Sequence, residues 1–150
     1  VYTYFANKDE LFALLYAERL DRLHDDIAPL AATARAEDLF VAIADRYLAM
    51  YRVFGRELDV WATARGERPS KGAEPLVAAA TRIMVLLGAA LERLELARAK
   101  RGGLRLALPL LWATLTGLCD QFTGKRHLLH ASSWDEMTRF AARTLIRGLE

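Results

Sequence analysis

The residues best placed to do chemistry in this chain stand at its start, Val1-Tyr2-Thr3-Tyr4-Phe5-Ala6-Asn7-Lys8-Asp9-Glu10-Leu11. Asn7 is a good N-cap, and Glu10 three residues later can reach back to the cap's backbone N–H, so a helix is expected to begin here. Lys8 then sits in the first turn, where the helix dipole alone disfavours a cation. A phosphate oxygen would satisfy both the Lys8 ammonium and the unpaired N–H groups of that helix end. Other reactive side chains form weaker sets. His127 and His130 stand at i, i+3, a spacing that could place two imidazoles on one side for a metal. The run Lys125-Arg126-His127 is better explained as a complement to a helix C-terminus, with no Cys or second ligand pair near, so no metal and no cofactor are expected. His24, beside Asp25 and Asp26, reads as a solvated surface residue. Ser70, Ser132 and Ser133 fall in loops or caps with no His and acid at a recognisable spacing, and no Gly-rich phosphate loop follows a strand. Enzyme activity is not expected.

A second group makes a pocket chemically feasible. Tyr47, Met50, Tyr51, Phe54, Trp61, Met84, Trp112, Leu115, Cys119 and Phe122 come from four expected helices and could enclose one space rich in aromatics and Met. Equally, residues of this kind at helical spacing fill cores, and for any one of them that is the weightier reading. Asp120, next to Cys119 in an otherwise apolar helix, is either a polar anchor or a solvent-facing residue.

The elements that would carry these groups are helical. At 150 residues, 53% hydrophobic and 27% charged, the chain has the size and composition of one globular domain. The net charge of +2 decides little. No uncharged apolar run reaches membrane-spanning length, no signal-peptide pattern opens the chain, and the single Cys119 suits a reducing compartment, so a cytoplasmic protein is expected. Apolar residues recur at three- and four-residue spacing, which predicts an all-α fold of about six helices. The first runs from about Lys8 to Ala28 and is ended or kinked by Pro29. The second spans about Ala36 to Phe54 and is closed by Gly55, and a short third follows from Arg56 to Ala64. After the loop Arg65–Gly72, a long helix begins near Pro75 and reaches about Lys100. The next spans roughly Leu108 to Arg126, with Pro109 in its first turn, because inside a helix Pro costs about 3 kcal/mol. A last helix follows Ser133, with Ser133 as N-cap and Glu136 at the capping-box position.

The last two helices carry a dimerisation pattern. Ala113, Gly117, Gln121 and Gly124 form a small-residue stripe on one, and Met137, Phe140, Ala141, Leu145 and Gly148 recur on the other. Both could pair with their twins about a two-fold axis as a four-helix bundle.

The opening string, with its aromatic cluster running into Phe5-Ala6-Asn7-Lys8-Asp9-Glu10-Leu11, resembles the end of the helix-turn-helix signature of TetR-family transcriptional regulators. The helical remainder, with a Gly-bearing apolar helix before a last amphipathic one, is also similar to that family. The resemblance implies that residues 1–10 are the remnant of a DNA-binding domain whose earlier helices precede Val1, and that 11–150 form a ligand-binding and dimerisation domain. It implies DNA contacts for Tyr2, Thr3 and Tyr4, a phosphate contact for Lys8, and packing roles for Phe5 and Leu11. It further implies a homodimer, operator DNA as partner, and a small apolar or amphipathic inducer in the pocket that releases a repressor from DNA. Two other readings stay open from the residues themselves, an all-α sensor or carrier that does not bind DNA, and a purely structural dimer.

Overall fold

The computed structural model describes residues 8–63, 73–98 and 102–150, and of Asp9 and 56–63 the backbone alone. Among these residues five α-helices follow one another, α1 (Lys8–Thr33), α2 (Ala36–Thr63), α3 (Glu74–Arg93), α4 (Gly103–Thr123) and α5 (Trp134–Leu149), with a 3₁₀ turn, Lys125–Leu129, between the last two. The all-α expectation holds, and no strand occurs among the described residues.

Among the described residues the count is five rather than about six, because the expected break at Gly55 is absorbed into a helix; two prolines expected at helix ends also lie inside helices. Gly55 lies inside α2, which runs on to Thr63, so the separate short helix from Arg56 does not exist. The reason for glycine is local packing. A Cβ at position 55 would meet the Tyr51 ring at 2.6 Å, so the bare backbone makes room for that ring. Pro29 lies within α1, which continues to Thr33. Pro109 lies within α4, which starts at Gly103, well before the expected Leu108. Both prolines are exposed, so the carbonyl that each leaves without an intrahelical donor can be hydrated, which lowers the cost of a proline there. Conversely, α3 ends at Arg93, short of the expected Lys100, and a turn over 94–98 follows.

α2 is the central element, packing on α1, α4 and α5, while α3 lies along α1 and also touches α4. Its buried residues Leu39, Phe40, Ile43, Ala44, Tyr47, Leu48, Met50 and Tyr51 cover more than one face. A helix buried so broadly needs neighbours on several sides, and it has three.

Polar contacts hold α1 to α3. Arg82 Nη1 donates to Asp21 Oδ1 at 2.5 Å, and His24 Nδ1 lies 3.1 Å from Asp25 Oδ1 and 3.4 Å from Arg82 Nη2. His24 is therefore part of a helix–helix joint and not the freely solvated residue expected. Arg93 donates from Nε to the Ala31 carbonyl at 2.9 Å and from Nη2 to the Ala34 carbonyl at 2.6 Å. A guanidinium at the end of α1 both satisfies terminal carbonyls and complements the dipole. By length and composition α3 is apolar enough to cross a membrane. Here its Leu76, Ala79, Ile83, Ala90 and Leu91 face the bundle core.

The turn after α3 is unusual in its backbone. Glu95 and Ala97 have φ of 57° and 62°, the left-handed region that side chains with a Cβ disfavour. Ala97 is buried, and its N–H donates to the Leu149 carbonyl at 2.8 Å, capping the end of α5. At the other end of α5 the expected capping box is present. Glu136 N–H donates to Ser133 Oγ at 3.2 Å and Ser133 N–H to Glu136 Oε2 at 2.8 Å, and hydrogen bonding to the carboxylate, from the Ser133 N–H first and its side chain second, holds the Glu136 carboxyl below its usual range. Ser133→Ala should lower stability by about 1 kcal/mol. In urea titrations this appears as a lower midpoint with an unchanged slope, and Ser133→Asp, which keeps an N-cap acceptor, should retain most of the stability that Ser133→Ala loses.

Candidate functional site

The aromatic residues of α1, α2 and α4 meet in one buried cluster around Tyr47, which is 1% exposed. Its ring centroid lies 5.0 Å from Trp112 and 6.1 Å from Tyr51. Its hydroxyl lies 3.4 Å from that of Tyr16, a long hydrogen bond between two helices. Tyr16 in turn stacks on Phe12 at 5.7 Å, and Phe54 meets both edge-on at 6.1 and 5.6 Å. Leu115 and Cys119, one turn apart on α4, close the cluster and are 2% and 0% exposed.

Helical spacing brings these groups together. Phe12 and Tyr16 are i, i+4 on α1, Tyr47, Tyr51 and Phe54 are i, i+4, i+7 on α2, and Trp112, Leu115 and Cys119 are i, i+3, i+7 on α4. The hydroxyls then need partners, since a phenol buried without one costs free energy. Tyr16 and Tyr47 supply each other, and Thr116 adds a hydrogen bond to Tyr47. Burial, and then the neighbouring Tyr47, pushes the Tyr16 phenol far above its ordinary value. Burial also raises Tyr47, against the opposing effect of its hydrogen bonds. The Cys119 thiol is pushed up to about 12 by burial, with Arg52 pulling weakly the other way. All three groups are therefore neutral near pH 7. Such a set can hydrogen-bond and stack on an uncharged molecule, and its thiol is no nucleophile.

The ten residues expected to form a pocket do not all face this cluster. Tyr47, Tyr51, Trp112, Leu115 and Cys119 belong to it, and Phe54 joins it through Phe12 and Tyr16. Met50 is buried, yet with Phe54 it also borders a cleft of about 210 Å³ between α1 and α2, flanked by Arg19, Arg22 and Arg46. Met84 is half-buried on α3 against the core. Phe122 turns toward the α5 side, 5.1 Å from His130 and 5.4 Å from Trp134. The side chain of Trp61 lies outside the described residues. Phe12 and Tyr16 were not among the expected site residues, although their i, i+4 spacing in an aromatic-rich helix was a usable signal.

Asp120 forms an ion pair with Arg126 at the surface and does not enter the cluster. His127 Nδ1 contacts the Gly124 carbonyl, whereas His130 Nδ1 is buried without a partner beside Phe122. Among the described residues no three His, Cys, Asp or Glu side chains stand close enough to share a metal ion.

The small-residue stripe faces outward. Ala113, Gly117, Gln121 and Gly124 are exposed along α4, in line with Leu106 and Leu110, each about half exposed. On α5, Phe140 is 62% exposed and Gly148 is exposed, while Met137, Ala141 and Leu145 are half-buried. A Cβ at Gly117, Gly124 or Gly148 would meet nothing within 4 Å. The fold of the single chain therefore does not require glycine at these positions. Lys8 stands exposed at the start of α1, and Tyr2, Thr3 and Tyr4 lie outside the described residues.

Two measurements check the electrostatics of the cluster. Cys119 should stay unmodified by a soluble thiol reagent at pH 8 in the native protein and react at once when the chain is unfolded; rapid native labelling would contradict its burial. The sign of the pH effect follows from raised acid pKa values. The stabilisation is complete below the ordinary thiol and phenol values of 9.0 and 10.0 and is lost as pH rises above them, because the unfolded chain ionises first. Chemical denaturation should thus show falling stability above about pH 9, with a shallower decline in the Tyr16→Phe/Tyr47→Phe double variant. No protein-family model, no curated protein and no solved structure matches this chain.

Proposed function

We propose that this chain is the ligand-binding and dimerisation portion of a TetR-like, ligand-responsive transcriptional regulator, acting as a repressor released by a small apolar or amphipathic inducer. The observation that carries the reading is the open face of α4 and α5, where three glycines are free of any demand from their own chain and Leu106, Leu110 and Phe140 are exposed beside them. Exposed apolar area next to backbone that a partner can approach closely is what an isologous helix-pair interface uses. The Tyr16–Tyr47–Trp112 cluster supplies the chemistry for an uncharged inducer with a hydrogen-bonding group. α1 links the two functions, since Lys8 opens it and Phe12 and Tyr16 pack in the cluster.

On this reading the dimer sets two recognition helices about 34 Å apart on successive major grooves. An inducer that favours a state with another spacing shifts the population off the operator, by at most its differential affinity for the two states. The chain itself has no catalytic part in this scheme, and the cytoplasm, where the operator is, is its place of action. The non-DNA-binding sensor or carrier uses the same cluster and dimer face, and is the second reading.

Dimerisation is tested by sedimentation. The chain should run as a dimer at micromolar concentration, and Gly117→Arg should give a folded monomer, since the new side chain meets only open space in its own subunit. A wild-type monomer would remove the reading. For DNA, the full gene product should shift the DNA upstream of its own gene, and Lys8→Ala should weaken binding to all sequences alike and lower the salt slope by about 1. A dimer that binds ligand and fails to shift DNA favours the sensor or carrier.

A further inference from the structure

One turn and more toward the start of α2 from Tyr47, a cavity of about 50 Å³ lies where α2, α3, α4 and α5 converge. Its twelve lining residues are all Ala, Leu, Ile or Phe. Phe40, Ile43 and Leu115 line it from one part of the core, and Leu91, Leu96 and Ile146 from a second cluster that includes the end of α5. The space is therefore a seam between two packed clusters. Leu94 and Leu96, from the turn that holds Glu95 and Ala97 in the left-handed region, close one side of it. That turn is tied to α5 by the bond from Ala97 N–H to the Leu149 carbonyl.

Interiors are packed nearly as densely as organic crystals, so an apolar void leaves its wall atoms short of contacts. The wall is almost wholly apolar, so water entering from the open side finds few partners and is weakly held. An apolar occupant gains contact with the walls and displaces only that weakly held water. Size then selects the occupant, since a cavity of roughly 150 Å³ admits benzene and this one is much smaller. It suits the end of an unbranched hydrocarbon chain, and the half-buried Ala36, Leu87, Leu94 and Leu111 mark the side on which the rest of that chain would leave. We propose that this seam is a second binding site, separate from the Tyr47 cluster, that takes the terminal hydrocarbon of a small aliphatic molecule and locks α5 to the rest of the bundle. Occupancy stabilises the fold because the walls belong to four helices that must separate on unfolding.

The test uses xenon on the chain with labelled Ile and Leu methyls. Methyl resonances of Ile43, Leu96, Leu111 and Ile146 should shift with xenon pressure and saturate, and 1-butanol should shift the same set, whereas benzene should not. Ala90→Leu, which places a larger side chain at a wall position 3% exposed, should abolish the response. Ile146→Val, which removes one wall methyl and keeps the fold, should strengthen it, and this variant decides the matter if the first fails to fold. Unshifted methyls in the parent chain, a full response in Ala90→Leu, no gain in Ile146→Val, or benzene binding at these methyls would each overturn the proposal. None of these outcomes depends on DNA binding or on dimerisation.

Discussion

The broad burial of α2 is the constraint on which the rest of this fold depends. With Leu39, Phe40, Ile43, Ala44, Tyr47, Leu48, Met50 and Tyr51 all withdrawn from water, one helix neighbour cannot cover it. α1, α4 and α5 do so together, and α3 is then held against α1 and α4. Each of those helices presents one side to the bundle and leaves its other side to solvent. The aromatic cluster, the apolar seam and the open α4–α5 face are three consequences of that arrangement. The first lies where α1 and α4 flank α2, the second where α3 and α5 approach it, and the third where α4 and α5 face away.

The polar groups inside follow from the same constraint. Tyr16 and Tyr47 come from different helices, so each hydroxyl finds its partner only when α1 and α2 are docked. Outside the core, Arg82 and Arg93 place guanidinium groups where α3 crosses α1 and where α1 hands over to α2. These bonds set direction and register, since the packing of Leu and Ala surfaces alone discriminates poorly between neighbouring alignments.

Much of the fold and part of the candidate site were legible in the residues. Ser133 and Glu136 announced the start of α5 because a capping box is a local interaction of four consecutive residues. The stripe of Tyr47, Tyr51 and Phe54 was legible because its periodicity is a property of one helix. Gly55 and Pro29 were read as breaks, and Pro109 as part of a first turn, for the same local reason, and the observed helices run through all three. Gly55 accommodates the ring of Tyr51, and the two prolines lie on exposed sides where a lost helix bond costs least. The neglected Phe12 and Tyr16 show the opposite failure, since their importance depends on what α2 brings to them.

The residues by themselves determined that this chain is helical, where its strongest cap stands, and which sides of its helices are apolar, because all of these depend on neighbours within about a turn. Only the tertiary structure decided that Phe122 turns from the aromatic cluster toward Trp134, that Asp120 pairs with Arg126 at the surface, that His24 joins α1 to α3, and that an apolar seam lies under the 94–98 turn. Each of those depends on the angle and distance at which separate helices pack. That geometry is set by the sum of all side-chain contacts across the bundle, and no short segment of sequence contains it.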